Sequence, residues 1–126
     1  MRDPPDAAVV QWLNDQPPES IWITAITLFE VHLGIALLPK GRRRQALKTA
    51  FERLFDEIQN RALEFDAAAA AQAGELAAQR QKVGRPVDFH DTQIAGIALA
   101  RRAAIATRNT RHFSDIAVPV VNPWDA

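Results

Sequence analysis

The chain has 126 residues, 48% of them hydrophobic and 24% charged, which suits one domain with a real core and excludes wholesale disorder. Lys plus Arg and Asp plus Glu number 15 each, for a formal net charge of +0, so bulk charge is not what would hold a nucleic acid, and only a local basic patch remains open. With 0 cysteines, disulfides, thiolate zinc sites and cysteine nucleophiles are all excluded.

Met1-Arg2-Asp3-Pro4-Pro5 offers no apolar h-region, which predicts no signal peptide. No apolar run reaches the ~18 residues of a spanning helix, so the expected location is cytoplasmic, away from the membrane. Asp3 followed by two prolines reads as a helix start, with Val9, Val10, Trp12 and Leu13 at roughly helical spacing. Gln16-Pro17-Pro18 ends that helix. Residues 20–23, Ser-Ile-Trp-Ile, read as a short buried strand. Thr24 caps a helix running to about Leu38, and Pro39, Lys40 and Gly41 make a turn. Residues 42–60 form an amphipathic helix with Leu47, Phe51, Leu54, Phe55 and Ile58 on its apolar side, so these two helices make a hairpin. Residues 62–65 are a second strand, and Asp66 caps an alanine-rich helix ending near Val83-Gly84. Pro86 breaks the chain. Asp88, three residues before Asp91, fits a capping box in all but side-chain length. It opens a helix over residues 89–102, with Ile94, Ile97 and Ala98 at core spacing. Residues 104–106 and 118–121 are the third and fourth strands, and Pro119 predicts an edge position for the last. Strands alternating with helices imply a parallel sheet covered on both faces, in a single α/β domain.

Glu30 is the most informative residue. Its helical neighbours are Ile26, Thr27, Leu33 and Gly34, and a carboxylate on such a face is costly to bury unless paired. Two readings stand: a metal or other ligand in a cleft, and a half-exposed Glu paired with an Arg. Asp91 sits in a first helical turn, where the helix dipole favours an acid whatever the function. Asn109 follows the third strand, beyond the carboxyl end where α/β sheets gather ligands, but Asn is also common in turns. His32 and His90 lack the four-residue spacing of the zinc helix motif and read as surface or interface residues. His112 lies in the loop after Asn109, within reach of the same region. Arg42, Arg43, Arg44 and Lys48 cluster at a helix start. They read as a solvated face, with phosphate contact and a helical nucleic-acid-binding module as the alternatives. Trp12, Trp22 and Trp124 read as core anchors.

Four segments then fall into a recognisable order. Ile23-Thr24-Ala25-Ile26-Thr27-Leu28-Phe29-Glu30-Val31-His32-Leu33-Gly34-Ile35-Ala36-Leu37-Leu38 is similar to a signature of PIN-domain toxins. Asp91-Thr92-Gln93-Ile94-Ala95 resembles the family's second acidic helix. Ala106-Thr107-Arg108-Asn109-Thr110-Arg111-His112-Phe113 resembles the loop after its fourth strand, and Val120-Val121-Asn122-Pro123-Trp124 its closing segment. The resemblance is to toxins of the VapC and FitB type. It implies a three-layer α/β/α sandwich around a parallel sheet and a Mg2+- or Mn2+-dependent endoribonuclease acting on RNA. It further implies a protein antitoxin as partner, and a homodimer. Glu30 and Asp91 match two of the family's metal-binding acids, and Asn109 matches the loop position that orients water or phosphate.

The departures carry equal weight. Family members begin with an apolar strand whose Asp is a metal ligand; this sequence has no such segment, and Asp3 does not replace it. The later loop is non-acidic at both Asn109 and His112, and Asp115 nearby is given no role. The absent strand is central in the family's sheet, so its loss leaves two facing edges. Each buried unsatisfied group there costs on the order of 1–3 kcal/mol, against a native stability of ~5–15 kcal/mol. The expectation is a chain that is unstable or relaxed alone, explained by a start codon assigned too late or by a real truncation. The alternative function is then a catalytically inactive remnant that only binds the antitoxin.

Overall fold

The computed structural model describes residues 11–125 apart from Leu13 and Pro86. The helix start expected at Asp3, with Val9 and Val10, lies outside the described residues, as does the break at Pro86. Gln11, Trp12 and Asn14 are helical, which agrees with a helix closing before Pro17.

Four short strands and four longer helices follow in the order strand, two helices, strand, two helices, two strands. Strand β1 is Ile23–Thr24, helix α1 Ala25–Ala36, helix α2 Arg42–Glu57 and strand β2 Ala62–Leu63. Helix α3 is Ala67–Lys82, helix α4 Phe89–Arg101, strand β3 Ile105–Ala106 and strand β4 Val120–Val121. The starts of α1, α3 and α4 are those the capping residues specify, while α2 begins after Gly41 with no side-chain cap. The Thr24 hydroxyl accepts from Thr27 N at 3.0 Å, and Asp66 accepts from Ala69 N at 3.0 Å, each meeting an N–H that the helix leaves unpaired. Helix α3 ends at Gly84, whose φ of +67° is the left-handed conformation that glycine adopts without a Cβ clash.

One strand differs from the sequence reading. Residues 18–20 form a 3-10 turn, Pro18–Ser20, and pairing begins only at Ile23. Both the Ser20 hydroxyl and its N–H donate to Pro17 C=O, at 2.7 and 2.9 Å. That turn takes Ser20 out of the extended conformation a strand needs.

The pairing is parallel throughout but does not run through one sheet. Strand β1 pairs β2 in the register Ile23↔Ala62 and Thr24↔Leu63. Strand β3 pairs β4 in the register Ile105↔Val120 and Ala106↔Val121. These are two separate two-stranded sheets, and among the described residues no strand bridges β1 to β3. Strand β4 is an edge, and Pro119 keeps its pairing capacity there by offering its C=O to Ile105 N at 2.9 Å.

The core is correspondingly lopsided. Leu76, Ala95, Ala98, Ile105 and Phe113 form one buried cluster, with Ile94, Leu99, Ile116, Val118 and Val120 against it. It lies where α3 and α4 pack on β3 and β4. The closeness of α3 to α4 is set by Gly96: a Cβ there would sit 2.6 Å from Ala69 O and 2.7 Å from Ala73 Cβ. The α1–α2 hairpin is thinner. Helix α1 has no fully buried residue, and Phe51 is the only one in α2. Phe51 takes the His32 ring edge-on, with centroids 5.7 Å apart, and stacks on Phe55. Leu54, expected on the apolar side, is exposed.

The tryptophans also correct the sequence reading. Trp22 and Trp124 are 49% and 37% exposed and are not core anchors. Each indole lies beneath a guanidinium instead, Arg61 at 5.9 Å and Arg108 at 5.4 Å from the ring centroid, which covers an aromatic face without burying it.

Candidate active site

The fold brings three chain segments to one place. Helix α1 leaves directly from the carboxyl end of β1. Helix α4 reaches β3 through a tight turn, so its N-terminus lies beyond the carboxyl end of β3, where the loop from Thr107 onwards begins. Glu30, Asp91 and Asn109 belong to these three segments. The region outside the carboxyl ends of parallel strands is where this topology forms a crevice.

Asp88 caps α4 by accepting from His90 N at 2.7 Å. The reciprocal half of a capping box is absent, because Asp91 turns the other way. Its Oδ2 lies 2.8 Å from His112 Nδ1 in the following loop. Asp91 is 24% exposed, while Glu30 is 44% exposed. Glu30 faces α4: its Oε2 lies 3.6 Å from His90 Nδ1, and Phe29 takes the same imidazole edge-on at 6.0 Å. Each carboxylate therefore has an imidazole beside it: His90 is 43% exposed, in keeping with its reading as a surface residue, and His112 reaches Asp91 from the loop. The Glu30–His90 and Asp91–His112 contacts are ionic only when the rings are protonated.

Asn109 is exposed, and its backbone is fully engaged. Its N–H donates to Thr107 Oγ1 at 3.1 Å, and its C=O accepts from His112 N at 3.0 Å. It thus opens the 3-10 turn Thr110–Phe113 that carries His112. Among the described residues, no group of three His, Cys, Asp or Glu side chains is arranged to hold a metal ion.

The residue that sequence reasoning missed is Arg80. It is 2% exposed, the largest charged side chain in the interior. Its Nε and Nη2 donate to both carboxylate oxygens of Asp115, at 2.9 and 2.8 Å. Nη1 donates to Thr92 Oγ1 and Nη2 to His112 C=O, both at 2.8 Å. A buried guanidinium so fully paired is satisfied. Its hydrogen bonds and charge, helped by the charge of Arg85, hold the Asp115 carboxyl below its ordinary value of 3.8, against the opposing effect of partial burial. A signal for Arg80 was present in the sequence. Ala69, Ala73, Leu76 and Arg80 form one stripe along α3, and a cation in an apolar stripe needs a partner for the same reason that Glu30 does.

The chain as a whole has counterparts among known proteins. A family model for the PIN domain matches residues 1–119. The chain belongs to the PIN-domain family. It is 37% identical over 126 residues to "Plasmid stability protein StbB" of Pseudomonas syringae pv. tomato, covering 99% of this chain and 91% of that one. It is 33% identical over 122 residues to "VapC ribonuclease Y4jK" of Sinorhizobium fredii, covering 96% and 87%. "Toxin FitB" of Neisseria gonorrhoeae is 32% identical over 125 residues, covering 98% and 90%. The crystal structure of FitAcB from the same organism superposes with a TM-score of 0.89 over 99% of this chain and 91% of that chain. The PIN-domain architecture, helices around short parallel strands, is thus the one expected from the resemblance to VapC and FitB toxins. Among the described residues no helix is long and apolar enough to cross a membrane.

Proposed function

We propose that this PIN-domain chain is an endoribonuclease toxin of a toxin–antitoxin pair, hydrolysing RNA phosphodiesters with Mg2+ or Mn2+ held by Glu30 and Asp91. The observation that carries the reading is the meeting of three segments at one end of the strands. Glu30 contacts the residue beside Asp91, and Asp91 contacts the loop that Asn109 opens. Two carboxylates suit a hard divalent cation in kind, since such ions take oxygen ligands. They are short in number, so water or a further oxygen donor would complete the set. Bound there, the ion supplies activation of water and neutralisation of phosphate charge.

The chain's own residues do the rest. Asp91 is held in one orientation by His112. Asn109, exposed at the mouth of the loop, orients the scissile phosphate or the attacking water. The imidazole of His90 keeps Glu30 turned toward α4. Phe29, Leu33 and Leu37 stand exposed along α1 beside Glu30, an apolar stripe of the sort that a protein partner covers. A cognate antitoxin and a second copy of the chain are its proposed occupants, and the cytoplasm its proposed compartment.

The test is cleavage of RNA by the full chain with and without chelator. Asp91→Asn and Glu30→Gln are each expected to lower Mg2+-dependent cleavage by about 100-fold or more, since even outer partners of metal ligands are worth ~10–100-fold. Cleavage unchanged in Asp91→Asn, or indifferent to chelation, refutes the reading. The donor shortage favours a second reading, a catalytically inactive protein that only binds the antitoxin. Calorimetric titration with Mn2+ separates the two: micromolar binding counts against the inactive form.

A further inference from the structure

Arg80 in the last turn of α3 and Arg85, three residues beyond its end, grip the same loop. Besides its bonds to Asp115 and Thr92, Arg80 donates to His112 C=O. Arg85 donates through Nη2 to Arg111 C=O and, at 2.8 Å, to Ser114 Oγ. Its Nη1 lies 3.8 Å from Asp115 Oδ2. Arg111 and His112 are successive residues near the end of the 3-10 turn Thr110–Phe113. The last carbonyls of a helical turn have no partner within it, and here two guanidiniums supply partners for both. Phe113, 3% exposed, anchors the next residue in the core. With its own carbonyl held by Arg80 and its neighbour pinned inside, His112 has little freedom left, and its ring reaches Asp91. Arg80 acts on the other side of that contact as well, because Thr92 is the residue after Asp91. One guanidinium therefore fixes both ends of the Asp91–His112 bond.

We propose that Arg80 and Arg85 are positioning residues, acting through the loop they clamp so that His112 sets the direction of the Asp91 carboxylate. Its value for metal holding rests on the function proposed above. The clamp itself does not, since the contacts involve only this chain. A ligating carboxylate whose second oxygen is held by a fixed donor keeps its first oxygen aimed at one point, and removal of such outer partners weakens metal binding.

The clamp is tested first without metal, by NMR of the His112 ring in the full chain. The Nδ1 proton shared with Asp91 is expected to be slow to exchange and visible in the wild type. It is expected to broaden or vanish in Arg85→Gln, which alters the more exposed arm, and in Arg80→Lys, which keeps the charge but not the fork. Thermal unfolding of Arg85→Gln is expected to stay cooperative, so that its ring signal reports position rather than loss of fold. A ring signal unaltered in both variants overturns the proposal. The second measurement is Mn2+ affinity. His112→Ala is expected to bind about 10-fold more weakly, and His112→Asn, whose amide N–H can replace Nδ1–H, to recover to within about 3-fold of the wild type. His112→Ala binding as tightly as the wild type overturns the positioning role. Absence of Mn2+ binding by the wild type overturns the proposed function instead, and the ring signal then decides the clamp alone.

Discussion

Gly96 is where the packing makes its sharpest demand, and Gly96→Ala tests it. An added Cβ would lie 2.6 Å from Ala69 O, 2.7 Å from Ala73 Cβ and 2.9 Å from Ala73 N. None of these is the far end of a flexible side chain, so relief requires α3 and α4 to move apart by several tenths of an ångström. Two terms oppose each other. Alanine is favoured over glycine inside a helix by about 1 kcal/mol. Overpacking a close interface costs about 1–3 kcal/mol, and contact with backbone puts this site at the upper end. The expected net loss is about 1–2 kcal/mol. For a domain of this size that lowers Tm by roughly 4–8 °C. Thermal unfolding followed by circular dichroism at neutral pH gives the comparison directly. The displacement would also part Arg80 on α3 from Thr92 on α4, now joined at 2.8 Å. A Gly96→Ala protein as stable as the wild type, or more so, would refute the claim that Gly96 sets the spacing of α3 and α4.

Two further outcomes follow from the same contacts. Asp115 has its folded pKa lowered chiefly by the hydrogen bond from Arg80. Its contribution is therefore fully present above its unfolded value of 3.8 and is lost as the pH falls through the lower folded value. Asp115→Asn is expected to cost ~2–3 kcal/mol at pH 7, because Arg80 is left short of a counter-charge in the interior; in urea unfolding the gap to the wild type should narrow steadily below about pH 4. An equal gap at pH 7 and pH 3 would contradict the assignment. Hydrogen exchange should divide the chain by burial: amides of α3 and α4 are expected to be protected best, and those of α1 and α2 to exchange much faster through local opening. Uniform protection across the four helices would argue against the uneven core.

Much of the local structure was legible in the sequence, and for local reasons. Thr24, Asp66 and Asp88 cap the helices they precede because capping needs only a side-chain oxygen and an N–H two or three residues on. Pro39 to Gly41 and Gly84 mark ends that depend on backbone freedom alone. The order of Glu30, Asp91 and Asn109 along the chain resembled one family, and the match of the PIN-domain model over residues 1–119 agrees with it. The strand at residues 20–23 was misread because a β-branched and aromatic run gives no hint of the turn that Pro17 imposes on Ser20. Trp22 and Trp124 were misread because size predicts burial only where there is room for it. In this fold two arginines cover the rings instead.

What the amino-acid order determined by itself was the alternation of short strands with capped helices, and hence a parallel α/β domain with its chemistry-bearing residues at strand ends. Capping, turn chemistry and apolar spacing are interactions between residues a few positions apart, so they can be read along one line. What only the tertiary structure decided was which imidazole meets which carboxylate, and that Arg80, 11 positions before Asp91, bonds both to Thr92 beside it and to the carbonyl of His112 opposite it. Arg80 meets Asp115 across 35 residues and His112 across 32. Contacts of that separation exist only once α3 and α4 have closed on Gly96, and no local pattern records that closure.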